Sequence, residues 1–168
     1  MAQSTNKKVL LARFDREPVE GFVQASAGFD GETIEVLTPQ GTLLRIPVEE
    51  TKAICFVRDF DGGETWRAHR TFLTRPKMPG VWLRLLFRDG DSLEGMLPNN
   101  LILVEPTGFS IIPPDPTFQN QRIFVPRPAL REVQVLGVVG SALRRRQLKK
   151  APGEGQLEMF GEGGSGNP

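Results

Sequence analysis

The sequence predicts a mainly β chain built from two small barrels in tandem. Three observations predict it. Eighteen Gly and fourteen Pro in 168 residues interrupt the chain every few positions, which favours short strands and turns over long helices. The intervening segments are apolar or alternating runs of strand length. The pattern of the first part of the chain also returns in the second, as an internal duplication requires.

The first half opens with Val9-Leu-Leu-Ala-Arg-Phe14, the turn Asp15-Arg16-Glu17, and Pro18-Val-Glu-Gly-Phe-Val23. The second opens with Trp82-Leu-Arg-Leu-Leu-Phe87, the turn Arg88-Asp89-Gly90-Asp91, and Ser92-Leu-Glu-Gly-Met-Leu97. Both read as hairpins carrying one Val/Leu-Glu-Gly core, the second turn one residue longer. Gly21 and Gly95 fall mid-strand, where a Gly lets a small sheet bend sharply. Next come Thr33–Leu37 and Thr42–Ile46 around Thr38-Pro39-Gln40-Gly41. Their counterparts are Leu101–Val104 and Gly108–Ile112 around Glu105-Pro106-Thr107. Each half then ends alike. Ile46-Pro47 precedes Thr51–Val57, and Val125-Pro126 precedes Leu130–Leu136, a strand stopping at Pro before a tight turn and a closing strand.

Five short strands per half are the pattern of an SH3-like or Sm-like barrel. Residues 7–60 are expected to form the first barrel and 81–137 the second, joined by a basic connector, 61–80. A short basic helix over 138–150 contains Arg144, Arg145 and Arg146. Residues 151–168 are rich in Gly and Glu without a periodic apolar face, and read as a disordered tail.

Composition excludes more than it names. At 39% hydrophobic and 24% charged the chain has enough apolar material for a core. Twenty-one basic and twenty acidic residues leave +1, so no global field marks a nucleic-acid or membrane protein. One Cys rules out an intramolecular disulfide and fits a reducing, cytoplasmic setting. The N-terminal apolar run is too short for a signal peptide, and none reaches the roughly 18 residues of a membrane span. One His removes most His-based acid–base and metal arrangements. The expectation is a non-enzyme with no cofactor and no metal.

Asp89, Asp91 and Glu94 cluster at one hairpin, and Asp59, Asp61 and Glu64 follow the first half. Neither has the ligand spacing of a calcium loop, and Asp-Gly is a preferred hairpin dipeptide, so both read as turn chemistry. His69 lies in a basic stretch with no nucleophile or carboxylate placed beside it. Cys55 sits among Ile54, Phe56 and Val57, the surroundings of a buried, inert thiol.

Basic residues are unevenly spread: residues 101–150 hold eight Arg and Lys against three acids, residues 1–60 seven against nine. Trp66 and Phe72 interleave with Arg67, Arg70, Arg75 and Lys77 in the connector. With Arg122 and Arg144 to Arg146, they form a candidate single-stranded nucleic-acid surface, a charged groove with stacking aromatics. The alternative is that the aromatics pack between the barrels and the charges are solvated.

Residues Arg13–Pro18, Cys55–Phe60, Arg84–Asp91, Leu93–Leu101 and Asn120–Pro126 resemble an uncharacterised bacterial family built on this repeated unit. The resemblance spans residues 7–140 and implies no activity. A second resemblance is more specific. Gln156-Leu157-Glu158-Met159-Phe160 is similar to the peptide by which bacterial proteins bind the DNA sliding clamp, with Met159 where Leu is commoner. In such a peptide the Gln amide anchors a polar edge while Leu157, Met159 and Phe160 fill an apolar cleft. The expected function is an adaptor, its barrels holding a protein partner and its tail tethered to the clamp. Nucleic-acid binding is the alternative, and oligomers by edge-to-edge pairing are a further expectation.

Overall fold

The computed structural model describes residues 6–24, 29–60, 70–99, 105–114 and 120–140. The chain is mainly β. The first half contributes β1 (Asn6–Arg13), β2 (Val19–Gln24), β3 (Thr33–Leu37), β4 (Leu43–Pro47) and β5 (Thr51–Val57). The second contributes β6 (Gly80–Phe87), β7 (Ser92–Leu97), β8 (Gly108–Ile111), β9 (Asn120–Pro126) and β10 (Leu130–Val139). One 3-10 turn, Val48–Glu50 or Arg127–Ala129, follows Pro47 or Pro126 in each half. Proline ends a strand there because it has no N–H for the ladder. The strand expected over Leu101–Val104 lies outside the described residues. β10 runs on to Val139, into the segment expected as helix, the rest of which is also outside them.

The halves repeat one pairing scheme. β1 pairs with β2 and β5, as β6 pairs with β7 and β10, and β3 pairs with β4 as β8 does with β9. Individual backbone bonds recur too. Phe14 N donates to Glu50 O at 3.3 Å and Arg88 N to Ala129 O at 3.1 Å. Val48 N donates to Glu32 O and Arg127 N to Thr107 O, both at 2.9 Å. These pairings correct the sequence register by one residue. Val9 faces Gly21 and Leu83 faces Gly95, so Val9 corresponds to Leu83 and not Trp82, and the two hairpin turns have the same length. Phe14 therefore corresponds to Arg88 and not to Phe87, since the backbone places Phe87 opposite Leu130 as it places Arg13 opposite Thr51.

The closed barrels expected from the sequence do not form; the sheets are open. One sheet has seven strands in the order β4-β3-β2-β1-β5-β9-β8, and the other has three, β10-β6-β7. The reason lies in β5 and β9. Instead of each half closing on itself, β9 pairs antiparallel with β5 of the other half, Ile54 opposite Phe124 and Cys55 opposite Ile123. Within each half the sheet is also nearly parted, since β2 meets β3 at one pair, Phe22 with Leu37, and β7 meets β8 at one bridge, Met96 with Ile112.

Cross-pairing mixes the cores. Phe124 joins Val9, Leu11, Val36, Ile54 and Phe56 in one cluster, its ring centroid 4.7 Å from that of Phe29. Leu10, Ala53, Cys55 and Val57 join Leu83, Leu85, Phe87 and Ile111 in the other. All seven residues of β5 are buried, since it has a strand on each edge and a cluster on each face. Cys55 is buried with them. Among the described residues no helix is long and apolar enough to cross a membrane.

Candidate functional site

The densest polar arrangement forms where β5 passes the β6–β7 hairpin. Asp89-Gly90-Asp91 is a tight turn closed by Phe87 N to Asp91 O at 2.8 Å and Gly90 N to Phe87 O at 3.1 Å. Gly90 takes a φ of +93°, which side chains with a Cβ rarely adopt. Both carboxylates point at Lys52, only 5% exposed on β5. Its ammonium is hydrogen-bonded to Asp89 Oδ2 and lies 2.6 Å from Asp91 Oδ2. The rings of Phe14 and Phe87 flank the same nitrogen, their centroids at 5.6 and 5.1 Å. A buried ammonium costs several kcal/mol unless paired, roughly the penalty of any desolvated ion, and two carboxylates with two aromatic faces offset it here.

Arg70 Nη1 reaches Asp91 Oδ2 at 2.9 Å, and Glu94 N donates to Arg70 O at 2.7 Å. The Glu94 carboxylate, on a residue 3% exposed on β7, accepts from four donors. These are Arg84 Nη2 at 2.8 Å, Arg84 Nε at 3.2 Å, Trp82 Nε1 at 3.2 Å and Phe72 N at 3.1 Å. The Phe72 ring stacks edge-on against Trp82, with centroids 6.0 Å apart. Lys52 thus ties the first half to the second, and Glu94 with Asp91 pins the end of the connector to the second.

Chemically this is a saturated network. A metal at Asp89 and Asp91 would have to displace Lys52 from both and Arg70 from Asp91. Among the described residues no group of three His, Cys, Asp or Glu is arranged to hold a metal ion. The expected turn chemistry at the second hairpin therefore comes with a cation that the sequence reading missed. The signal was present: Lys52 is the one charge in the apolar run Thr51–Val57.

Four of the basic candidates are among the described residues. Arg70 is engaged by Asp91, and the Arg122 guanidinium lies over the Phe56 ring at 4.2 Å from its centroid. Arg75 and Lys77 are exposed. Trp66, Arg67, His69, Asp61, Glu64, Arg144, Arg145 and Arg146 lie outside the described residues, as do Gln156, Leu157, Met159 and Phe160. Asp59 is on the surface, bonded to Lys8 at 2.8 Å.

With this geometry in view, comparison with family models gives one match, over residues 5–137, to a family of unknown function, DUF6982. The chain belongs to that family. No curated protein and no solved structure matched it. The DUF6982 segment takes in β1 to β9 and most of β10, and Lys52, Asp89, Asp91 and Glu94 lie within it. Gln156–Phe160 lies beyond the matched segment.

The network has a pH signature. The hydrogen bond from Lys52 holds the Asp91 carboxyl below its ordinary value of 3.8, helped by Arg70 and opposed by burial. A carboxyl depressed on folding stabilises the fold at pH above 3.8, and that contribution disappears as pH falls through the folded-state value. Asp91→Asn is therefore expected to lower Tm at neutral pH, with the gap from the parent closing as pH falls from 3.8 through the lower folded-state value. Thermal unfolding from pH 7 down to about pH 2 checks this. A gap that stays constant through the acid limb would show that Asp91 ionisation contributes nothing.

Proposed function

We propose that the protein is a non-enzymatic adaptor whose β framework holds a protein partner while Gln156–Phe160 tethers it to the bacterial DNA sliding clamp. The observation that carries this reading is the peptide itself. Leu157, Met159 and Phe160 are the large apolar residues after Lys150, and they follow Gln156 at the spacing of a clamp-binding peptide. The surrounding Pro152-Gly-Glu-Gly155 and Gly161-Glu-Gly-Gly164 have no apolar partner to offer them. The saturated state of Asp89, Asp91 and Glu94, each bonded to Lys or Arg, supports binding over chemistry. Tethering needs no chemistry, because it raises the local concentration of whatever the framework holds.

Calorimetric titration of a bacterial sliding clamp with the full-length protein tests the proposal. Binding is expected, and Phe160→Ala should weaken it about thirtyfold, the loss of one aromatic hot spot worth about 2 kcal/mol. A chain ending at Lys150 should not bind. An intact protein that ignores the clamp overturns the reading. Affinity for a single-stranded oligonucleotide that falls steeply with salt and survives removal of 151–168 would favour the nucleic-acid alternative.

A further inference from the structure

We infer that this chain associates head to tail with copies of itself, β10 of one adding to β4 of the next as β9 adds to β5 within the chain. The inference does not rest on the tethering proposal. Its template is the internal repeat. β9 is the counterpart of β4, and β10 of β5, in pairing partners and in the 3-10 turn that joins them. The chain therefore contains one β5–β9 junction and leaves the equivalent strands, β4 and β10, each with one edge unpaired among the described residues. β8, the other end of the larger sheet, is bridged to β7.

The open edges carry the apolar exposure such a junction would cover. Ile54 and Phe56 on β5 are buried, whereas their counterparts Val133 and Val135 on β10 are exposed, Val135 by 64%. Val138 on the same strand is 66% exposed, and Leu43 on β4 is 53% exposed. An edge strand with uncovered valines is a template for another strand. Transferring the β5–β9 register sets Val135 opposite Leu43 of the next copy, where Phe56 faces Arg122 inside the chain. It likewise sets Val133 opposite Arg45 and Gln134 opposite Leu44.

Charge transfers with the register. Lys52 on β5 meets Asp89 and Asp91, the hairpin of the other half. Its counterpart on β10 is Arg131, exposed, and the counterparts of the two aspartates are Asp15 and Glu17, also exposed. In the assembled junction Arg131 faces that acidic turn of the next copy. The intermolecular junction is more polar than its template, Arg45 standing for Phe124 and Glu132 for Ala53, so association is reversible and concentration-dependent. A heterologous contact of this kind closes into a ring or continues as a fibre, depending on the rotation between copies.

Sedimentation of the full-length protein over a range of concentrations should show species larger than the monomer. Leu43→Lys and Val135→Lys, both at exposed positions, should each give folded monomers, checked by circular dichroism. Mixed together they should form dimers, because one variant keeps an intact β10 and the other an intact β4. Arg131→Glu should weaken assembly as well. A parent chain that stays monomeric at high concentration overturns the inference, and so does a mixture of the two variants that stays monomeric. Assembly that appears only on removing residues 151–168 would make the chain's own tail the occupant of the edge, and would overturn it too.

Discussion

Replacing Glu94 by Ala is expected to cost about 3 kcal/mol of stability, lowering Tm by roughly 10 °C for a chain of this size. The carboxylate is buried and is the common acceptor for Arg84, Trp82 and the Phe72 N–H. Removing it leaves the indole and the amide without that acceptor and the Arg84 guanidinium without its counter-charge. Breaking one side of such a pair costs more than the pair is worth, because the partner stays where it was. Arg84 is partly exposed and recovers some hydration, which keeps the loss near the lower end of about 3–5 kcal/mol. Glu94→Gln should lose less, since it keeps one acceptor oxygen but turns an NH2 group toward donors. The exposed pair Arg45–Glu35 is the control, and Glu35→Ala should change stability by less than about 1 kcal/mol. A second readout separates this role from general weakening. Arg70–Phe72 hangs on Glu94, so trypsin should cut sooner after Arg70 and Lys77 in Glu94→Ala than in the parent at equal fractional stability. Thermal unfolding that places Glu94→Ala beside Glu35→Ala would show that the network is ornamental.

Glu94 also marks what a sequence can disclose. The doublets Glu20-Gly21 and Glu94-Gly95 were visible as a repeat, and so were Pro47 and Pro126 at strand ends, because these are local signals fixed by backbone chemistry. The five strands of the first half and the outer strands of the second follow from them, but the pair that corresponds to β3 and β4 is β8 and β9, not Leu101–Val104 and Gly108–Ile112. The destination of β9 was not visible. Its sequence, Asn120–Pro126, fits pairing with β8 and says nothing of β5, since an apolar strand accepts an edge from either half. The closed barrels failed for that reason. Lys52 was missed on similar grounds, as it finds Asp89 and Asp91 across 37 and 39 residues, through a contact that exists only once the halves have paired. The one-residue register error came from matching Phe14 to Phe87 by identity, whereas the glycines fix the alignment by pairing. The clamp-like peptide and the basic connector rest on composition and spacing, and most of those residues lie outside the described structure.

Those glycines make the other large prediction. Gly21→Ala and Gly95→Ala should each destabilise the protein by about 2–3 kcal/mol, the upper part of the range for overpacking a core. At Gly21 an added Cβ would lie 2.4 Å from Val36 Cγ1 and 2.6 Å from the carbonyl oxygen of Leu37. At Gly95 it would lie 2.4 Å from Ile111 Cδ1 and 2.8 Å from Ile111 Cβ. Val36 and Ile111 are counterparts, so both halves make the same close approach where β2 nears β3 and β7 nears β8. With a Cβ there, each pair of strands must separate, and each is joined by a single residue pair already. Gly21→Ala should be the worse of the two, because a backbone carbonyl cannot turn aside as the Ile111 δ-methyl can. Ile111→Val removes that methyl and leaves the 2.8 Å contact with Cβ, so it should rescue Gly95→Ala only in part. Gly137→Ala supplies the contrast, its nearest neighbour being Trp82 Cε3 at 3.9 Å, an ordinary contact. That variant should unfold within about 0.5 kcal/mol of the parent, as substitutions away from special features do. Urea unfolding of the four variants orders them directly. Equal midpoints for Gly95→Ala and Gly137→Ala would mean that β7 and β8 can part at no cost, and that the repeated Glu-Gly doublet owes nothing to this crossing.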